Sequence, residues 1–294
     1  MAEYALFLGC MIPVRLPFME SSGRRLLKEF AIDLVEMPST GCCPDPSLKS
    51  VDEVTWTTLA ARNLAIAEEM GLQILTPCNG CFETLKTVDS SLKGDTKLKG
   101  KVNQRLSKVG REYKGETEVK HLVEVLMDDV GVDRMRAAVV SPLTDLRVAV
   151  HHGCHLLRPS HILDVDDPIR PRLLDNLIEL TGATSVPYYK SNLCCGAASG
   201  NADAETGKEM VRYKLGWMER AGVDCISVVC PTCFLQYDVT QRLVRKDSGD
   251  RFNIPVLYYP EMLLLAMGAE PEGLGLDMHR TSVAPVMERI AGGG

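Results

Sequence analysis

Ten of the eleven cysteines in this chain fall into two copies of one spacing. Cys10 is followed after 31 residues by Cys42-Cys43, and these after 34 more by Cys78-Asn79-Gly80-Cys81. Cys154 is followed after 39 residues by Cys194-Cys195, and these after 34 by Cys230-Pro231-Thr232-Cys233. Thiolates gathered in this way hold soft metal ions or pass electrons. Five thiols per copy exceed the four that a tetrahedral zinc site takes, so the count favours iron with sulfide. A lone Cys-x-x-Cys pair is shared by zinc ribbons, iron-sulfur proteins and thioredoxin-like sites and decides little. Two pairs at equal distances from two double cysteines point to paired metal centres. Gly9, Gly41, Gly80, Gly153 and Gly196 stand beside or close to these cysteines, where turns let backbone amides approach cluster sulfurs.

Composition sets the outer limits. The 294 residues, 45% hydrophobic and 24% charged, suffice for one large or two ordinary domains whose core needs no disulfide staples. A net charge of -6 leaves no basic footprint for a phosphate backbone, so nucleic acid is not an expected partner. Glu3 stands where a secretory leader needs a basic residue, and no segment approaches the roughly 20 apolar residues of a membrane span. A cytoplasmic protein is expected. In that reducing compartment the cysteines read as metal-binding or catalytic thiolates rather than disulfides.

The elements that must carry the cysteines repeat as well. Residues 4–8 read as a short buried strand ending at Gly9-Cys10, and residues 147–151 repeat it ahead of Gly153-Cys154. In the first half there follow an amphipathic helix over 17–30, a strand over 32–35 and a proline-rich loop over 38–46 holding the double cysteine. Then come a helix over 52–70, capped by Asp52 and stopped by Gly71, a strand over 73–76, the Cys78 to Cys81 turn and a helix over 82–92. The second half repeats the order with a helix over 168–180, a strand over 184–186, a helix over 203–221, a strand over 225–229 and a helix over 234–245. From the double cysteine onward the offset between halves is 152 (42 to 194, 78 to 230), and before it 144 (10 to 154), so the second half carries eight extra residues. The alternation predicts an α/β fold of two pseudo-symmetric, duplicated lobes with mostly parallel sheets, each carrying one Cys-Cys motif. The N-terminal lobe is placed at 1–120 and the C-terminal lobe at 121–294, with a lysine-rich solvated helix and linker over 93–120 and a helix over 121–127. A short apolar helix follows residue 254, and the glycine-rich tail 272–294 is expected to pack poorly.

The order single cysteine, Cys-Cys-Gly, Cys-x-x-Cys, present twice, resembles the cysteine-rich CCG domain family over residues 6–259. That family includes B-type subunits of heterodisulfide reductases and iron-sulfur subunits of glycolate, lactate and anaerobic glycerol-phosphate dehydrogenase systems. Phe7-Leu8-Gly9-Cys10, Leu59-Ala60-Ala61-Arg62-Asn63-Leu64 and Thr76-Pro77-Cys78-Asn79-Gly80-Cys81 are similar to the B-type subunits. The resemblance implies two noncubane 4Fe-4S clusters, one held by Cys10, Cys42, Cys43, Cys78 and Cys81 and the other by Cys154, Cys194, Cys195, Cys230 and Cys233. Gly9, Gly80, Gly153 and Gly196 would adjoin them as cofactor-binding glycines. It implies reduction of a small-molecule disulfide, the heterodisulfide of coenzyme M and coenzyme B, by two electrons and two protons between the clusters, a reaction of methanogenesis. It further implies a ferredoxin-like C subunit as donor, a flavin-containing A subunit as the site of electron bifurcation, and an upstream hydrogenase or formate dehydrogenase. The chain itself has no ferredoxin run of cysteines and no glycine-rich dinucleotide fingerprint.

Pro44 departs from the pattern, standing where the second half has Gly196, and proline has no N–H to offer a sulfur. Zinc or a conventional four-cysteine cluster therefore stays open at the N-terminal site. Two other readings of the chain also stay open: an iron-sulfur electron-transfer subunit of a glycolate, lactate or glycerol-phosphate dehydrogenase, and a zinc-stabilised interaction module. Outside the cysteines, His155 follows Cys154 in its loop and is the candidate catalytic residue, placed to protonate a leaving thiolate. His151 alternates inside a strand and reads as structural. Arg15, Arg158 and Lys190 are the candidate cations for an anionic substrate, and Cys225 reads as a small core hydrophobe.

Overall fold

The computed structural model, which describes residues 2–248, 250 and 252–292, contains two parallel sheets of identical topology. The first comprises β1 (Glu3–Leu6), β2 (Asp33–Glu36), β3 (Gln73–Thr76) and β4 (Val119–His121) in the order β2-β1-β3-β4. The second comprises β5 (Arg147–His151), β6 (Thr184–Ser185), β7 (Cys225–Val228) and β8 (Val256–Tyr258) in the order β6-β5-β7-β8. Helices cover both sheets, which explains why central strands such as Cys-Ile-Ser-Val of β7 are buried throughout rather than alternating. The sequence reading of two duplicated α/β lobes holds.

The topology decides where the cysteines go. In each sheet the chain leaves the first strand toward one neighbour and returns on its other side, so a crevice opens beyond the carboxyl ends of β1 and β3, and again of β5 and β7. Cys10 and Cys78 leave the first pair of ends; Cys154 and Cys230 leave the second. The helix Glu53–Met70 is bounded as expected: Asp52 Oδ1 accepts from Thr55 N at 2.9 Å, and Gly71 closes it in the left-handed conformation.

Four expectations are corrected. β4 and β8, three residues each, escape periodicity, and β4 carries the first sheet across residue 120. The lysine-rich stretch is no linker: its helix Thr96–Leu106 buries Val102 and Leu106, and Tyr113 is buried beyond it. The helix over 121–127 is an α turn, Leu122–Val125, continued as a π-helix to Val130. The tail is also packed, up to the helix Ala284–Gly292; residues 293 and 294 lie outside the described residues. Its glycines, read as looseness, include Gly275, whose φ of +76° and approach to Phe18, 2.4 Å from a would-be Cβ, admit no side chain. His279 then packs against both Phe18 of the first lobe and Phe234 of the second, at centroid distances of 4.7 and 4.9 Å, and those two rings also meet each other at 5.1 Å. Asp238 accepts from the backbone N–H of Arg280 and Thr281, both at 2.8 Å. The tail is thus a strap across both lobes.

The lobes meet reciprocally. The helix after each single cysteine, Met11–Arg15 or Cys154–Leu157, packs on the helix after the opposite Cys-x-x-Cys, Pro231–Ser248 or Asn79–Gly94. The longer spacing between Cys154 and Cys194 accommodates the short helix Ser160–Leu163, which packs on Asn79–Gly94 and whose Leu163 carbonyl accepts from Lys86 Nζ at 3.2 Å. Among the described residues, no helix is long and apolar enough to cross a membrane.

Candidate metal centre

All ten motif cysteines line one cavity of about 570 Å³ between the lobes. All eleven cysteines are free thiols. Cys10 and Cys42 are exposed, Cys154 and Cys194 partly so, and the other six of the ten are buried, so each set has one solvent-facing edge. Sulfur–sulfur distances are 4.0 Å for Cys10 and Cys42, 3.9 Å for Cys154 and Cys194, and 3.5 Å for Cys195 and Cys233. Cys78 and Cys230, one from each lobe, are within thiol hydrogen-bond reach of each other, so the two sets adjoin. Cys225 lies buried in β7, away from the cavity.

Local backbone explains why thiolates are tolerated here. Cys230 immediately precedes the helix Pro231–Ser248, and the N–H groups of Thr232 and Cys233 in its first turn face the Cys230 sulfur, whereas the Cys78 side chain makes no cap hydrogen bond at the start of Asn79–Gly94. Cys230 is held well below the ordinary thiol pKa by the Cys233 and Cys78 thiols, with the N–H groups of Cys233 and Thr232 assisting. Cys43 is lowered to about 4 by hydrogen bonds from the Cys42 and Cys81 thiols. Cys194 is lowered to about 2 by the Cys154 and Cys195 thiols, and Gly196 N donates to its sulfur at 3.4 Å. Their donors move the other way: Cys195 is pushed up to about 12 by Cys194, and Cys42 and Cys154 are also raised by their partners. The lowered thiols are Cys43 in the first set and Cys194 and Cys230 in the second, each favoured as a thiolate by hydrogen bonds from neighbouring thiols that are themselves raised. Multivalent soft cations would let every member ionise at once, and thiolate ligation proceeds by that proton release. Ten clustered soft donors, five from each half, fit iron-sulfur groups.

The glycines divide. Gly9 has φ +67°, and a Cβ there would lie 2.6 Å from Cys81 Sγ. Gly153 has φ +82°, with a would-be Cβ 2.5 Å from Asn79 Nδ2 and 3.5 Å from Cys233 Sγ. Asn79 Nδ2 donates across the lobe boundary to His152 O at 2.7 Å. Gly153→Ala should therefore cost about 2 to 3 kcal/mol, from the left-handed backbone and the displaced inter-lobe bond. Anaerobic urea unfolding checks this, with Gly222→Ala (φ +67°, no atom within 4 Å of the new Cβ) as the control that pays only the backbone term. Gly196 has φ +89° and packs on Met210, whereas Gly80 stands in open space and no close contact requires it.

His155 lines the cavity, and its Nδ1 lies 3.2 Å from Glu83 Oε2 of the opposite lobe. The Glu83 hydrogen bond raises the imidazole above its ordinary pKa against the opposing effect of burial. Arg15 also lines the cavity; Arg158 and Lys190 do not. Arg158 donates to Pro168 O at 2.9 Å, and Lys190 lies over the Tyr189 ring. Around Pro44 the loop is anchored by other means: Pro44 O accepts from Trp56 Nε1 at 3.3 Å, and buried Asn63 takes the Gly41 N–H at 3.1 Å. Glu83, Asn63 and the buried Lys214 were missed from sequence. The 152-residue offset between matched helices (62 to 214) is the signal that could have found Lys214.

Two duplicated α/β lobes bring two sets of five thiols to a shared cavity, the donor set of a cysteine-rich iron-sulfur class of protein. The model of the cysteine-rich domain, CCG, matches residues 4–86 and 148–238. The chain is 41% identical over 282 residues to the B-type subunit of the ferredoxin/F(420)H(2)-dependent CoB-CoM heterodisulfide reductase of Methanosarcina acetivorans, covering 95% of this chain and 94% of that protein. It is 30% identical to the 8-methylmenaquinol:fumarate reductase membrane anchor subunit of Wolinella succinogenes, covering 94% and 95%. A hypothetical protein from Helicobacter pylori shares the fold with a TM-score of 0.77 at 17% identity, over 96% of this chain and 52% of that one. The chain belongs to the cysteine-rich CCG domain family, in the branch of the B-type heterodisulfide reductase subunits.

Proposed function

We propose that this chain is the catalytic subunit of a heterodisulfide reductase and reduces the coenzyme M–coenzyme B disulfide to two thiols. The observation that carries this reading is the single cavity lined by both five-cysteine sets, which supports two centres facing one small-molecule site. Cys10, Cys42, Cys43, Cys78 and Cys81 would hold one noncubane 4Fe-4S cluster, and Cys154, Cys194, Cys195, Cys230 and Cys233 the other. When bound, such clusters supply single electrons and a thiophilic metal surface.

The chain's own residues bind, orient and protonate. Arg15 offers a cation at the cavity wall for an anionic end of the substrate. Asn79 and the glycines hold the two cysteine sets in register across the lobe boundary. His155, oriented by Glu83, delivers one proton to a departing sulfur. Electrons arrive from a ferredoxin-like C subunit, backed by a flavin-containing A subunit and an upstream hydrogenase or formate dehydrogenase, in a cytoplasmic complex. Anaerobic assay of the reconstituted complex tests the reading: two thiols should appear for each two electrons consumed. Cluster-loaded protein that leaves the heterodisulfide intact would refute it. The fumarate reductase relative supports a second reading, an iron-sulfur subunit passing electrons to another acceptor, for which the same assay gives reduction of that acceptor alone.

A further inference from the structure

The two halves match in their cysteines and differ in the charge behind them. Across the offset of 152, Arg62 of the helix Glu53–Met70 corresponds to Lys214 of the helix Ala204–Arg220, and Ser39 and Ser191 each stand three positions before a double cysteine. Arg62 Nη2 donates to Ser39 O at 2.6 Å, and Lys214 Nζ donates to Ser191 O at 2.9 Å. The same grip on the stretch leading into the double cysteine is thus made twice. There the likeness ends. The Arg62 contact is at the surface, where water shares its charge. Lys214 is 1% exposed, donates also to Leu193 O at 2.7 Å, and meets His151 Nδ1 at 3.0 Å.

His151 has no counterpart in the first half, because the offset of 144 pairs it with Phe7. It is buried, its Nε2 has no hydrogen-bond partner, and one of its ring nitrogens lies within 4.8 Å of both Cys195 and Cys233 sulfurs. Tyr188 and Tyr237 present their rings to Lys214 Nζ at 5.7 and 5.9 Å, and among the described residues no carboxylate pairs with it. Burial pulls the ammonium down to about pKa 8, and the thiols of Cys233, Cys195, Cys194 and Cys154 draw it back up. A buried cation whose nearest anions are cysteine sulfurs acts on them through a medium of effective dielectric about 20 rather than 80. It favours whatever state of that centre carries more negative charge.

We propose that Lys214 is a positioning residue that raises the reduction potential of the C-terminal centre, giving two centres of matched ligands unmatched potentials. This rests on the iron-sulfur reading above. Net charge and hydrogen bonding around cluster sulfurs are levers on potential that geometry alone does not move.

The test is a potentiometric titration of the reconstituted, full-length holoprotein, followed by electron paramagnetic resonance, for the wild type and the variants Lys214→Gln, Lys214→Arg and Arg62→Gln. Lys214→Gln keeps donors for the two carbonyls and removes the charge; it should lower the midpoint potential of one centre and leave the other in place. Lys214→Arg should leave both potentials unchanged, and Arg62→Gln should shift less than Lys214→Gln. Unmoved potentials in Lys214→Gln at full iron content overturn the inference, as does an equal shift in Lys214→Arg, which would make the effect one of shape. If Lys214→Gln does not assemble, Lys214→Met, which keeps the apolar bulk and removes the charge, should lower the same potential; no shift there also overturns it. A chain that binds zinc and no iron overturns the iron-sulfur reading itself, and elemental analysis shows that before any titration.

Discussion

Cys195→Ala is expected to leave the protein with about half of its iron and no turnover. Cys195 is 3% exposed and its sulfur is 3.5 Å from Cys233, in the middle of the C-terminal set. Removing a buried ligand thiolate forfeits the binding energy of that centre, while the N-terminal set keeps its five sulfurs. On the proposed function a disulfide held between two centres needs both, so activity should be lost with one. Iron and sulfide analysis of anaerobically reconstituted protein, with the heterodisulfide assay, checks both parts. Cys225→Ala is the internal comparison: that thiol is buried in β7 away from the cavity, so iron content and turnover should stay at wild-type values. Full iron in Cys195→Ala would remove that residue from the ligand set.

His155→Gln is expected to slow turnover by roughly 10²-fold while leaving iron, sulfide and substrate binding unchanged, the size typical of losing one positioned proton donor. The geometry supports a specific donor rather than any nearby acid. His155 sits one residue past Cys154 on the cavity wall, and Glu83, reaching across the lobe boundary, fixes its ring. Steady-state kinetics with an artificial electron donor separates kcat from KM, and wild-type kcat in a fully loaded His155→Gln protein would refute the role.

The legible parts of this molecule are those that local chemistry writes. Cysteine spacing, the Asp52 cap, the Gly71 stop and the proline-rich loop are short-range signals, and from them the duplicated α/β lobes and two five-thiol sets followed, whereas the placing of both sets at one site was implied only by the family resemblance. What sequence hid was set by tertiary contact. β4 and β8 are three residues long, too short for any period to show, yet each completes a sheet. Gly275 reads as a flexible tail residue and is a close-packing one, because Phe18 approaches it from the other end of the chain. Lys214 reads as one charge of a surface helix, and only packing reveals that it points inward to two carbonyls and a histidine. Glu83 likewise becomes a partner of His155 only when the lobes dock. Pro44, which made the N-terminal set look the weaker, is accommodated: Trp56 and Asn63 secure a loop that lacks the Gly196-type N–H.

If both cysteine sets hold iron-sulfur centres around one disulfide substrate, metal content and substrate response must agree. Anaerobic protein should bind about eight iron atoms per chain, two clusters of four, and its paramagnetic resonance under oxidising conditions should change when either product thiol is added. Zinc in place of iron, or a fully loaded protein whose spectrum ignores both thiols, would contradict it.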